Sequence, residues 1–388
     1  MLRTEMGWSQ VPSGLDAGKQ AAQKAMEGLT AASLAVVYGT VNYDQVELLQ
    51  GIKSVLGDVP LVGCTTFNGV LTPDGFIGGA EGVCAVMILA DNELKVTVAG
   101  SEKDGSARQT GQRAAREAMA QHPASAVPAF FFMIAPPGEE ESYLKGIEDV
   151  IGRVPFFGGT SADNTMEGLM RQYANNQIIQ NGVVVAFFYT AKPFANCFTG
   201  VYRATDKRGV ITKVENKRTL KEIDGQPALE VYAKWSGRQL SEVKGSELLT
   251  ASIHYPLGIV DSGGDLTWIR HFGTGNDDLS MSGGRDLAEN TAVCLMETTT
   301  DELVDSVRSV VEAAKVRLGA EPGALFLIHC AGRSIAIGDR MNEVAAGIKA
   351  AVGDLPFAGV LTFGEFGYGQ WTGNGCGGLM LSVFMLAR

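Results

Sequence analysis

The sequence predicts an α/β protein of mixed sheets, built in two halves from repeated helix-strand-helix-strand-loop-strand units. Three observations carry this. One helix and strand plan recurs three times along 388 residues, each copy carries a similar apolar-Pro-apolar-Gly segment, and glycine makes up 49 of the 388 residues. Recurrence at a fixed plan marks a structural repeat, and a glycine share above the usual ~7% marks many tight backbone positions.

In the first unit, residues 16–89, a helix is predicted over Asp16–Leu29 and a strand over Ser33–Tyr38. A second helix follows over Asp44–Leu56, then Val59-Pro60-Leu61-Val62-Gly63, a glycine-rich loop and the strand Val83–Leu89. The second unit, residues 106–189, repeats the order with helix Ser106–Gln121, strand Ala129–Ile134, helix Glu139–Ile151, Val154-Pro155-Phe156-Phe157-Gly158 and strand Val183–Tyr189. The third, within 300–388, has helix Asp301–Leu318, strand Ala324–His329, helix Arg340–Val352, Leu355-Pro356-Phe357-Ala358-Gly359 and strand Leu379–Leu386. Ser106 or Asp104, and Thr299 or Thr300, are suited to cap helices, and Leu303, Val307, Val310 and Val311 recur at helical spacing. A strand-helix-strand segment of this length favours parallel pairing, and the strand after the glycine-rich loop adds an antiparallel partner.

Residues 199–299 are less regular. They suggest strands at Ile211–Asn216, Ile253–Val260 and Leu266–Phe272, a helix at Pro227–Lys234, and turns at Asp224-Gly225 and Gly263-Gly264-Asp265. Pro256 falls near the spacing of Pro155 and Pro356, a faint hint of a fourth unit. The halves are placed at 1–198 and 199–388.

A net charge of −11 with no long basic block argues against nucleic-acid and anionic-membrane partners, which need a cationic face. No apolar stretch approaches the ~18–20 residues of a spanning helix. Six dispersed cysteines without a CxxC pair suggest neither zinc nor a disulfide framework, and a reducing cytoplasm fits best. One local exception is the segment from Arg203 to Lys221. It carries Arg203, Lys207, Arg208, Lys213, Lys217, Arg218 and Lys221 against Asp206 and Glu215, either a charged strand edge or a docking surface for an acidic partner.

In open α/β sheets ligands bind beyond the carboxyl ends of parallel strands. Four segments reach that position: Cys64, Thr65 and Thr66; Gly158, Gly159, Thr160, Ser161, Asp163 and Asn164; Cys330 and Arg333; and Gly364 with Glu365. Arg333 with Glu365 or Asp163 would suit a zwitterion, the guanidinium taking its carboxylate and an acid its ammonium. A mutual Arg333–Glu365 ion pair tying two loops is the alternative. Cys330 follows His329, but neighbouring strand residues face opposite sides, so His329 is poorly placed as its base. Dinucleotide, Walker A and nucleophile-elbow signatures fail on context or spacing, the four histidines lack metal spacing, and no cofactor is implied. Phe363, Phe366, Tyr368 and Trp371 either line an apolar pocket or pack in the core.

The run Pro155 to Asp163, together with Cys330-Ala331-Gly332-Arg333, Glu343, Pro356 to Gly359 and Phe363-Gly364-Glu365, resembles the FIST domain, with N- and C-terminal regions over about 30–195 and 200–375. The resemblance implies an intracellular sensory module of bacteria or archaea that binds small ligands such as amino acids. It implies signalling through histidine kinases, chemoreceptors or cyclic-nucleotide signalling proteins, here in trans, since the two regions fill the chain. Glu343 joins the candidate ligand residues on this ground. Where the family carries a His-Asn-x-Thr-like element, this chain reads Gly369 to Asn374. Two other expectations stay open: an enzyme using Cys330 or the Asp163 and Glu365 carboxylates, and an assembly protein without a ligand.

Overall fold

A computed structural model describes the chain except residue 125, residues 261–266 and residues 370–372, together with the side chains of residues 260 and 267. The turn expected at 263–265 and Trp371 lie outside the described residues.

Each unit is realised with three strands more than expected, one ahead of its first helix and a two-stranded hairpin in the glycine-rich loop. The first comprises β1 (Arg3–Ser9), α1 (Gly14–Ala25), β2 (Leu34–Gly39), α2 (Gln45–Leu56), β3 (Leu61–Thr65), the hairpin β4 (Gly69–Thr72) and β5 (Gly75–Gly78), and β6 (Cys84–Ala90). The second comprises β7 (Lys95–Glu102), α3 (Ala107–Ala120), β8 (Phe130–Ala135), α4 (Glu140–Ile151), β9 (Phe156–Thr160), the hairpin β10 (Gln172–Ala174) and β11 (Gln177–Ile179), and β12 (Gly182–Tyr189). Local chemistry accounts for the helix starts. Asp44 accepts from the backbone of Val46 and Glu47, and Ser106 forms a capping box with Gln109.

The third unit opens with β13 (Phe194–Thr199) and is then interrupted. An insert fills the strand-to-helix turn that the first two units close with residues 10–13 and 103–106. It contains β14 (Arg203–Glu215), β15 (Thr219–Ile223), β16 (Gln226–Pro227), α5 (Ala228–Ser236), α6 (Glu247–His254), β17 (Leu257–Val260), β18 (Thr267–Arg270), β19 (Phe272–Gly275), β20 (Met281–Gly283) and β21 (Thr291–Glu297). The unit resumes with α7 (Thr300–Leu318), β22 (Pro322–Cys330), α8 (Ala331–Ile337), α9 (Met341–Val352), β23 (Ala358–Thr362), the hairpin β24 (Glu365–Gly369) and β25 (Gly373–Gly377), and β26 (Leu381–Ala387). Thr299 caps α7 in a capping box with Glu302.

Two readings of the insert are corrected. Residues 253–254 end α6 and the strand begins at Leu257, because Leu248, Ala251 and Ser252 bury one helical face and Pro256 prevents further helix. Every strand pairing among the described residues of the insert's sheet is antiparallel, so Pro256 marks no fourth α/β unit there.

The mixed-sheet expectation holds in all three units. β2–β3, β8–β9 and β22–β23 pair in parallel, and β6, β12 and β26 lie antiparallel on the first strand of each pair. Each hairpin, however, leaves its own unit. β10 pairs with β3, β24 with β9, and β4 with β23, so the three units exchange hairpins in a closed ring. The inner faces of the three sheets share one core. Val36, Phe132, Phe157, Phe326, Val360 and Phe384 all belong to it, with the Phe157 and Phe384 rings 4.1 Å apart. The helices cover the outer faces in separate clusters. This arrangement brings the carboxyl ends of three parallel strand pairs to one end of the molecule, with the insert beside them.

Candidate functional site

At that end a cavity of about 490 Å³ opens between the second unit, the third unit and the insert. Pro136 and Pro137, just past β8, and Met166, Gly168 and Met170, in the loop after β9, form one side. Cys330 to Gly332 at the end of β22, Phe363 past β23 and Gly378 form another. The insert closes it with Leu249, Thr250 and Ile253 of α6, and with His271, Gly273, Gly284 and Arg285. The volume lies within the ~300–1,000 Å³ range of small-molecule sites. A larger cavity, about 1200 Å³, lies at the amino ends of β2 and β3 against Ala31, Pro60, Asp91 and Lys95. We place the candidate site at the carboxyl ends, where strand-end loops converge.

Among the described residues, the one charged side chain of the cavity wall, Arg285, is paired with acids behind the wall. Arg285, almost wholly buried, donates to Glu140 at the start of α4, to Gly377 O at 3.0 Å, to Gly284 O at 2.7 Å and to Phe363 O at 3.4 Å. Burial alone would lower its pKa, but the Glu140 and Glu141 carboxylates outweigh it and hold the guanidinium charged. Arg218 of the insert adds bonds to Glu140 at 3.1 Å, Glu141 at 2.6 Å and Asp286 at 3.3 Å. The acids sit where the helix dipole favours them, so this network rivets the insert to the second unit. Gly364 makes the approach possible: a Cβ there would fall 1.2 Å from Arg285 Nη2.

Glu365 lies behind Cys330, fully buried, accepting from Thr362 Oγ1 at 3.0 Å and Met380 N at 2.8 Å. Burial raises its pKa to about 7. Burial likewise pushes the Cys330 thiol up to about 12 and holds His271 down at about 4, with His271 Nε2 against Leu249 O at 2.8 Å. The site at neutral pH therefore presents a protonated thiol and a neutral imidazole, with the Glu365 carboxyl behind the thiol. His329 leaves the opposite face of β22, with Nδ1 on Cys330 O at 2.9 Å and its pKa lowered to about 3 by burial.

Among the residues singled out in the sequence, Cys330 lines this cavity. Arg333 is fully buried and turned away, donating to Gly200 O at 2.7 Å, Leu303 O at 3.3 Å and Ser306 Oγ at 2.6 Å beneath α7. Among the described residues it forms no ion pair with Glu365. Asp163 accepts from the backbone of Thr165, Met166 and Leu169 and so shapes the cavity's 163–170 loop. Several others hold the seams between units. Thr65 Oγ1 accepts from Arg171 N at 2.9 Å, Thr66 Oγ1 from Leu361 N at 3.0 Å, and Thr160 Oγ1 from Phe363 N at 3.0 Å. Asn164 bonds Asn42 and the Asn68 backbone, each at 2.9 Å, while Ser161 accepts from Gln172 at 2.6 Å inside the second unit. Gly158 and Gly159 pair with Phe366 and Glu365 in the β9–β24 ladder, and Cys64 lies in the central core. Glu343 is exposed and paired with Arg340 at 2.8 Å. Phe363 lines the cavity, whereas Phe366 stacks on Phe156 in the core.

Sequence reasoning overlooked Arg285, Met166, Met170 and Ile253. Only the acidic start of α4 and the Gly283-Gly284 turn before Arg285 hinted at a pairing 145 residues apart. In the basic segment, Arg203 meets Glu297 and Glu302, Lys213 meets Glu222, Lys217 meets Asp286, and Lys221 meets Asp278. Except for Lys213, whose partner lies across the β14–β15 hairpin, these charges are balanced by acids distant in the chain.

The fold and this seam define a class: a repeat α/β protein with a small-molecule cavity where strand ends meet an inserted sheet. Residues 33–226 match the FIST N domain and residues 228–368 the FIST C domain, and the chain belongs to the FIST family, whose domains are small-ligand sensory domains of signalling proteins. No curated protein matches the chain. Among solved structures, cyanuric acid hydrolase from A. caulinodans is similar over 100% of both chains at 12% identity with a TM-score of 0.36. PurLQS from Thermotoga maritima aligns over 100% of this chain and 73% of its own at 11% identity and a TM-score of 0.23. Among the described residues no helix is long and apolar enough to cross a membrane, and no group of three or more His, Cys, Asp or Glu could hold a metal.

Proposed function

We propose that the chain is a cytoplasmic sensory protein that takes a small metabolite into the cavity at the seam and reports its occupancy to a separate signalling partner, a histidine kinase, chemoreceptor or cyclic-nucleotide signalling protein. The observation that supports this reading is the construction of the cavity from three distinct parts of the fold, so that one ligand touches the second unit, the third unit and the insert at once. A ligand that contacts all three favours their closed arrangement, by no more than its differential affinity for the closed and open states. Six buried free thiols suit a reducing compartment. Amino acids and similar small metabolites, the class that the family resemblance implies, belong in the first ligand screen.

Thermal shift of the full chain against amino acids, small carboxylates and neutral aromatics tests the reading. Gly284→Trp fills the cavity from a position where a Cβ meets no atom within 4 Å. A ligand that stabilises the wild type and leaves Gly284→Trp unmoved supports the site. A screen with no stabilising compound, or equal stabilisation of both chains, removes it.

A further inference from the structure

We infer that the ligand of this cavity is an uncharged, largely apolar molecule carrying an aromatic ring. The inference rests on the cavity being the ligand site and narrows what it admits. A charged ligand needs a counter-charge free to receive it, because an ion moved from water without a partner loses most of its solvation. Among the described residues the wall holds one cation, Arg285, and four of its N–H directions already meet Glu140, Gly284 O, Gly377 O and Phe363 O. Arg333, on the helix that begins at the cavity, points its guanidinium away to Gly200 O, Leu303 O and Ser306. Carboxylates fare no better as receptors for an ammonium. Asp163 is committed to three backbone N–H groups, Glu140 to two arginines, and Glu365 sits behind Cys330 with Thr362 and Met380 N.

Apart from the Thr250 hydroxyl and the neutral His271 ring, what remains facing the space is apolar and soft, with Met166, Met170, Cys330, Phe363, Ile253 and the Pro136-Pro137 pair. Thioether and thiol sulfur pack favourably against aromatic edges, and an aromatic wall residue adds ring-to-ring contact. Met166 is half exposed, so a bound ring would cover apolar surface that now meets water.

Calorimetric titration of the full chain with four compounds sharing one ring separates the possibilities: indole, tryptophan, indole-3-acetate and tryptamine. Indole is expected to bind at least about tenfold more tightly than the zwitterion, the anion or the cation, since each of these must bury an uncompensated charge. Its binding is expected to vanish in Gly284→Trp and in Thr250→Trp, an exposed α6 position on the same wall. A charged congener that binds as tightly as indole, or no binding of indole to the wild type, overturns the ligand class. If that charged congener is excluded by both blocking variants, the cavity stands as the ligand site and only its chemistry is reassigned. If indole binds wild type and both variants equally, the cavity itself is rejected.

Discussion

Arg285 shows how much one contact decides. Its guanidinium passes over the backbone of Gly364 to reach Glu140, and a methyl group at 364 would occupy the place of Nη2. Gly364→Ala is expected to break a buried ion pair from one side and cost about 3–5 kcal/mol in urea unfolding. The same substitution made on an Arg285→Met background should cost far less. An equal cost in both backgrounds would show that the clash with Arg285 is not its source. Glu365 supplies a pH signature. Its folded pKa of about 7 lies above the ordinary carboxylate value, so between roughly pH 4.5 and 7 the unfolded chain has released a proton that the folded chain keeps. That difference lowers stability progressively as pH rises through the window. Glu365→Gln should therefore gain stability relative to wild type from pH 4.5 to 7 and hold a constant difference above it, read from denaturant midpoints at several pH values. His271 and His329 act in the opposite sense, since buried neutral imidazoles lose stability as pH falls from about 6.5. The comparison with the variant cancels their contribution.

Among the elements, the helix pairs of the three units differ in one respect. Gly51 in α2 and Gly146 in α4 lie against backbone: a Cβ would fall 2.0 Å from Leu15 O and 2.0 Å from Arg108 O. In the third unit the corresponding Gly347 of α9 faces only the Arg308 Cβ, at 3.4 Å. Gly146→Ala should lose about 1–3 kcal/mol, because helix propensity worth up to ~1 kcal/mol does not offset an overpacked crossing. Gly347→Ala should be neutral or gain up to ~1 kcal/mol. Thermal unfolding of the two variants checks the contrast, and similar losses at both sites would contradict it. The elements were largely legible beforehand, since Asp44, Ser106 and Thr299 cap their helices through contacts within three residues. α8 was not. Its seven residues begin at Ala331 and include Gly332, too short and too glycine-bearing to show a helical period. In the insert, the apolar run around Ile253 resembled a strand because periodicity cannot separate short buried helices from strands.

At the scale of the molecule, the hairpin ring makes the units interdependent. β3 ends at an edge that β10 of the second unit covers, while its own hairpin β4–β5 covers β23 of the third. A fragment of residues 1–92 would expose both the bare β3 edge and an unpartnered hairpin, besides the shared Phe-rich core. It is expected to show no cooperative transition by circular dichroism, whereas the full chain's three units should melt together. Independent two-state folding of the fragment would refute the interdependence. The seam cavity belongs to this scale too, since no unit contains it alone.

Two kinds of information separate along this boundary. From the sequence alone one can establish the α/β class, the threefold plan, the parallel and antiparallel pairs within each unit and the glycine-rich strand ends, because each depends on local periodicity and on connections inside a single unit. Tertiary structure alone decided which unit receives each hairpin, and it turned Thr65, Thr66 and Thr160 into seam residues. It also joined Arg285 to Glu140 across 145 residues and directed Arg333 under α7, away from the cavity. An edge strand offers the same backbone groups to any partner, and a buried arginine accepts any nearby oxygen. Only the three-dimensional closure of the ring, with the insert docked against it, selects among those equivalent partners.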